Sequence, residues 1–198
     1  MITFNKLSQE NPYTLFYNLY NESLEHNQKN IEAICIASYS TKNSEVSARF
    51  VNLKYVNDKE FIFFTNYNSQ KALDFNSHSQ ISGLMHWNAI NVQIRIKAHI
   101  KKTSMEFNNS HFAQRDLKKN ALAISSNQSS IIESYKKVQE NYKKAISNEN
   151  LKECPVYWGG YSFRPYYFEF WKGHDSRLNE RKAYKLENNK WLFNYLQP

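Results

Sequence analysis

Val92-Gln93-Ile94-Arg95-Ile96-Lys97-Ala98-His99-Ile100-Lys101 alternates apolar and polar residues without a break. That two-residue period is the mark of a strand with one face in a core and the other in water, as in antiparallel sheets. Other strand-like runs flank it. Upstream lie Ala33 to Ser38, Val46 to Tyr55, Phe61 to Thr65 and Gln80 to Trp87, with only the turn-like Val56-Asn57-Asp58-Lys59 between the second and third. Downstream lie Tyr166 to Trp171, Lys182 to Leu186 and Trp191 to Leu196, the last two joined as a hairpin through Glu187-Asn188-Asn189.

Helical signals sit between these runs. Asn11-Pro12 opens a helix over 11–26, with Phe16, Leu19, Tyr20 and Leu24 at helical spacing. Ser69-Gln70-Lys71 begins a short helix through Phe75, and Ser104 to Asn127 is mostly helical in pattern. Ser130 and Glu133 stand at capping-box spacing and predict a helix whose apolar face is Ile131, Tyr135, Val138, Tyr142 and Ile146. No helix separates the strands between 46 and 65, so a doubly wound parallel sheet fits poorly. The predicted fold class is α+β: a closed or split antiparallel β-barrel with surrounding helices. It forms one domain over 1–198, including the N-terminal helix 11–26 and the C-terminal hairpin 182–196.

Composition narrows the chemistry. Aromatic residues make up 16% of the 198-residue chain and there are only four glycines, so no G-x-G-x-x-G or Walker-type loop can be written. The six histidines and two cysteines show no metal-ligand spacing, and no metal site is expected. A formal charge of +8 favours an anionic partner without choosing among nucleic acid, membrane and phosphorylated small molecule. The N-terminus offers neither a signal-peptide core nor a spanning segment, and Cys35 and Cys154 read as reduced thiols, so a cytoplasmic home is expected.

Three segments could hold an anionic, ring-bearing ligand. Asn66 to Lys71 puts a cap residue and a lysine at the head of a helix, which suits a phosphate, although taken alone the hexapeptide favours Ser69 as only a cap and Lys71 as a solvated cation. Arg49 and Lys54 are charges in an otherwise apolar run. Being five apart, they face opposite sides of a regular strand and can serve one ligand only if it bulges or ends between them. Finally Tyr166, Tyr167, Phe168, Phe170 and Trp171 precede Arg177 and Arg181, a pairing of aromatic walls with guanidinium groups that would also fit a protein interface.

Taken in order, Arg49-Phe50-Val51-Asn52-Leu53-Lys54, Phe64 to Lys71, Trp87 with Gln93, Asn127 to Ser130, Trp158-Gly159-Gly160-Tyr161 and Glu169 to Arg181 resemble the pyridoxamine 5'-phosphate oxidase family, the FMN-binding split-barrel flavoproteins. The resemblance runs from about Asn11 to the terminus and implies a Greek-key split barrel, with FMN at a homodimer interface and contacted from both chains. It assigns FMN contacts to Arg49, Lys54, Thr65, Lys71, Gln93, Gln128, Ser129, Trp171 and Arg181, and to Phe64 and Gln70, where the family more often has Tyr and Arg. It assigns substrate contacts to Lys54, Arg115 and Arg177, and to His111, Lys119 and Asn179, where the family usually has Tyr, Ser and His. No protein side chain is assigned as a general base.

The implied activity is oxidation of pyridoxamine or pyridoxine 5'-phosphate to pyridoxal 5'-phosphate, by hydride transfer to flavin N5 and reoxidation by oxygen. The substrate-side departures keep a second possibility in view, an FMN oxidoreductase of the same fold acting on another reduced substrate, such as a phenazine precursor. A nucleic-acid-binding module is a remote third, because the aromatics lie in apolar runs rather than on a basic stripe. No membrane partner is expected.

Overall fold

The computed structural model describes residues 1–198. Nine strands and five helices follow one another as β1 (Thr3–Asn5), α1 (Asn11–Glu25), β2 (Ala33–Ser40), β3 (Glu45–Asn57), β4 (Glu60–Asn66), α2 (Gln70–Ser77), β5 (Gln80–Trp87), β6 (Val92–Lys102), α3 (Met105–Gln114), α4 (Leu117–Ser125), α5 (Tyr135–Asn148), β7 (Trp158–Lys172), β8 (Glu180–Glu187) and β9 (Lys190–Tyr195). The fold is mixed α and β, as expected. No helix is long and apolar enough to cross a membrane.

β6 sets the pattern. From Val92 to Ile100 its even-numbered residues are buried and its odd-numbered ones face outward or are only partly covered. It pairs antiparallel with β5 on one side and β7 on the other. β5 continues to β2, β2 to β3, β3 to β4, and β4 returns to β7, so six strands close a ring. β8 and β9 extend from β7 as a hairpin whose turn puts Asn188 and Asn189 at φ 49° and 61°, the geometry of a tight two-residue loop. Outside the ring, β1 lies parallel on the end of β3.

The core fills the ring with aromatic and β-branched side chains. Phe61, Phe63, Phe163, Ile94 and Ile96 are fully buried. Helix α1 closes over them with Tyr13, Phe16, Leu19 and Tyr20, and Phe16 meets Phe61 edge-on at 5.1 Å. Burying one such ring stabilises by about 1.5–3 kcal/mol.

Three expectations need correction, and a fourth, the mostly helical stretch from Ser104 to Asn127, holds with one break. The helix expected from Ser130 begins at Tyr135, and its cap is Ser134, whose Oγ accepts from Lys137 N at 3.1 Å. Ile131 is fully exposed and outside the helix. A tertiary tether overrides the local signal: Gln128 Oε1 accepts from Thr65 Oγ1 and Asn66 N, and Ser129 takes a left-handed φ of 74°, so the chain is still turning where the capping box would start. The helical stretch from Ser104 breaks at Arg115–Asp116, where Asp116 caps α4 by accepting from Lys119 N. Ser69 does not cap α2 with its side chain but donates to Asn66 O at 2.7 Å.

Lastly, β7 starts at Trp158, well ahead of Tyr166. Its early half passes beneath α3 through Gly160, whose carbonyl accepts from Tyr67 Oη and Thr103 Oγ1, both at 3.0 Å. A Cβ there would lie 2.6 Å from Thr103 Oγ1, so a larger residue would push this layer apart.

Candidate functional site

The site grows out of an irregularity in β3. From Glu45 to Asn52 this strand pairs only with β2, and β4 joins from Leu53 onward, with a register shift between Leu53 and Tyr55. Leu53 and Val56 are both fully buried although three residues apart, so the strand changes facing parity at Lys54. A cavity of about 450 Å³ lies against the free edge of β3. Arg49 and Lys54, five residues apart, therefore line the same space, by the bulge that the sequence required for it.

The rest of the wall comes from the end of β4 (Phe64, Thr65), the start of α2 (Gln70, Lys71), α3 and its C-cap (His111, Arg115), and the loop after α4 (Gln128, Ser129). No carboxylate lines it. Asp74, buried behind it on α2, serves Arg49: the guanidinium reaches Asp74 Oδ2 at 3.5 Å and Ser38 Oγ at 2.7 Å. Gln70 Nε2 donates to the other Asp74 oxygen at 3.0 Å.

Lys71 is 93% buried, forms no ion pair, and has Thr65 Oγ1 at 3.3 Å as its only hydrogen-bond partner. Burial, with the Arg49 charge nearby, pulls its pKa down to about 8. Lys54 and Arg115 are also lowered, chiefly by burial, and neither forms an ion pair. Arg115 lies over the Trp158 ring at 4.9 Å. Two or more cations without an ion-pair partner on one partly buried wall are unfavourable unless an anion completes the arrangement.

An aromatic stack adjoins these cations. Phe64 is parallel to His111 at 3.7 Å and to Trp158 at 5.2 Å. Burial, then the Arg115 and Lys54 charges, lower the His111 pKa to about 4, so its imidazole is neutral at physiological pH. Lys119 lines an adjoining pocket together with Phe64, Thr65, Arg115 and Gln128.

Five residues expected at the site lie elsewhere in the chain. Gln93, Trp171 and Arg181 form a row across β6, β7 and β8 as direct register partners. Arg181 is bound to Glu169 Oε1 at 2.8 and 3.0 Å and to Gln197 O at 2.8 Å. Arg177 and Asn179 belong to the loop before β8, where Arg177 has φ 62° and Asn179 Oδ1 accepts from His174 N at 3.1 Å. None of the five lines the cavity.

Ser38, Tyr55, Asp74 and Trp158 also shape the site, and the sequence reading gave none of them a role there. Asp74 carried a usable signal, standing four residues after Gln70 on a helix. Tyr55 carried none, because its meaning depends on the bulge.

Comparison with known proteins places the chain in a family. Residues 158–198 match the C-terminal dimerisation region of pyridoxine 5'-phosphate oxidase. The pyridoxine/pyridoxamine 5'-phosphate oxidase of Gloeothece citriformis is 33% identical over 192 residues, covering 95% of this chain and 89% of that protein. A namesake from Hydrogenovibrio crunogenus is 32% identical over 195 residues, covering 96% and 89%. Among solved structures, PhzG from Burkholderia lata in complex with tetrahydrophenazine-1-carboxylic acid superposes with a TM-score of 0.89, covering 94% of this chain and 92% of that one. At 22% identity that likeness is one of fold. With this extent of sequence identity over nearly its whole length, the chain belongs to the pyridoxine/pyridoxamine 5'-phosphate oxidase family.

Proposed function

We propose that the chain is an FMN-dependent oxidase of pyridoxamine or pyridoxine 5'-phosphate. The observation that carries the reading is Lys71, a buried cation without a counter-ion, next to Arg49 at the head of α2. Arg49, Lys71 and the first-turn N–H groups of α2 would hold the FMN phosphate, with Thr65, Gln70, Gln128 and Ser129 around it. The unpaired peptide groups of β3 between Arg49 and Asn52 offer further donors and acceptors along the cofactor. FMN, when bound, supplies the hydride-accepting N5 and the return of electrons to oxygen.

Lys54, His111 and Arg115 would grip the substrate phosphate, with Lys119 at its margin. Gln93, Trp171 and Arg181, together with Arg177 and Asn179, would complete the site from the second subunit of a homodimer. Their distance from the cavity within one chain and the dimerisation-region match favour this division. The same reading takes residues 1–198 as one cytoplasmic split-barrel domain.

His111, Lys119 and Asn179 favour a second reading, in which the substrate is a different reduced compound. Asn179 cannot carry a proton as the imidazole usual in the family can. The purified protein should be yellow, release FMN on denaturation, and be bleached anaerobically by pyridoxamine 5'-phosphate. A colourless protein without affinity for FMN would refute the flavin assignment. A yellow one inert to both B6 phosphates but bleached by another reduced compound would establish the second reading.

A further inference from the structure

Tyr55 stands one residue beyond Lys54, where β3 falls out of register with β4. Its ring packs edge-on against Phe64, Phe107 and His111 at 6.3, 5.6 and 5.4 Å, and its hydroxyl lies 2.8 Å from His111 Nδ1. Phe64 holds the imidazole flat, 3.7 Å away and tilted by only 7°. Stacking thus fixes the plane of the ring and the Tyr55 bond fixes its rotation within that plane. Nε2 makes no hydrogen bond in the chain and is the ring nitrogen left for the cavity that His111 lines with Lys54 and Arg115.

A neutral imidazole has one donor nitrogen and one acceptor nitrogen. An imidazole nitrogen is a far stronger base than a phenol oxygen, so in this pair the phenol donates and Nδ1 accepts, which leaves the ring proton on Nε2. Freed from the phenol, the ring could equally turn a bare Nε2 lone pair toward the cavity, and a lone pair repels an oxyanion.

We propose that Tyr55 is a positioning residue that holds His111 in its Nε2-protonated tautomer, so that a neutral histidine offers a fixed hydrogen-bond donor to the substrate phosphate between Lys54 and Arg115. This rests on the reading of Lys54, His111 and Arg115 as the phosphate grip. It also gives physical sense to the histidine at a position where the family more often has tyrosine. The pair Tyr55–His111 supplies the donor that a single phenol would supply alone.

The test uses protein labelled with 15N-histidine, with His111→Ala identifying the His111 signals and inorganic phosphate as the probe of the flavin-loaded protein. In the wild type, Nε2 should show the shift of a protonated ring nitrogen and Nδ1 that of an acceptor. Tyr55→Phe should mix the two tautomers, weaken phosphate binding about three- to tenfold, and raise KM for pyridoxamine 5'-phosphate by a similar factor with kcat nearly unchanged. The exchanged pair, Tyr55→His with His111→Tyr, should restore most of the affinity. An unchanged tautomer and affinity in Tyr55→Phe, with affinity lost in His111→Ala, would overturn the role of Tyr55 and leave the phosphate grip standing. Unchanged affinity in His111→Ala would overturn both.

Discussion

The cavity along β3 and the row across β6, β7 and β8 both carry cations, and they treat them differently. In the row, Arg181 and Arg95 share the buried carboxylate of Glu169, which also accepts from Tyr167. Those charges are satisfied inside one chain. In the cavity only Arg49 has a carboxylate, and Lys54, Lys71 and Arg115 have none. The difference separates two settings of positive charge: one ties strands together, and the other leaves cations without an ion-pair partner in the chain. Desolvation pushes the pKa of Lys71 down, while the arginines and Tyr167 hold Glu169 below the ordinary carboxylate range against a burial effect that would raise it.

The strongest way to break this contrast is Arg49→Ala. Losing a charge-assisted contact to phosphate should cost about 2–3 kcal/mol, or about 30- to 150-fold in FMN affinity, read by flavin fluorescence on deflavinated protein. Unaltered affinity would remove the cavity's claim to the phosphate. Next in size is Glu169→Gln, which leaves Arg181 and Arg95 without their shared counter-ion and should lower unfolding stability by about 2 kcal/mol, a value reduced by the partial exposure of both arginines. Urea midpoints measure it. In the wild type the same contribution is present above pH 4.5, the ordinary glutamate value, and is lost as pH falls through the lowered pKa of Glu169.

Alkaline pH should act on the other region. With no anion bound in the cavity, Lys71 loses its proton near pH 8, and a bound phosphate would keep that proton on. FMN binding then takes up a proton above pH 8 and weakens by at most about tenfold per pH unit, with no such loss below. A flat affinity from pH 7 to 10 would show that Lys71 does not meet the anion. The smallest readout, a partial recovery of activity, tests how the regions combine. Arg177→Ala alone should keep FMN but lose turnover, and co-expressing it with Arg49→Ala should restore about a quarter of wild-type activity. Half of randomly paired dimers are mixed, and each mixed dimer has one intact site if the two residues act from opposite chains. No recovery would place both residues in one subunit's site.

Much of the frame was legible because it is periodic. The alternation of β6, the Pro12 start of α1 and the Asn188-Asn189 turn are local signals, and local physics decided them. What stayed hidden depends on partners distant in sequence. Ser130 and Glu133 are a sound capping box on paper, but Gln128 is held by β4, more than sixty residues upstream, and the helix waits until Tyr135. The site divided in the same way. Arg49, Lys54 and Lys71 stood out as charges in awkward places, whereas Tyr55 and Asp74 acquire roles only through the bulge and the packing of α2 against β2. The separation of Arg177 and Arg181 from the cavity was invisible in a resemblance that assigned Arg181 to the same cofactor as Arg49 and Arg177 to the same substrate as Lys54.

The free edge of β3 has a consequence for the life of the protein before catalysis. Between Glu45 and Asn52 one side of the strand has no sheet partner within the chain, with Val46 and Phe50 largely exposed along it. Unsheltered edges of this kind recruit neighbouring chains into mixed sheets. A ligand lying along β3 would act as a splint, shielding that edge and adding its binding energy to the folded state. Cells starved of riboflavin should therefore accumulate this protein in inclusion bodies, and the shortage would appear as missing polypeptide before it appears as an idle enzyme.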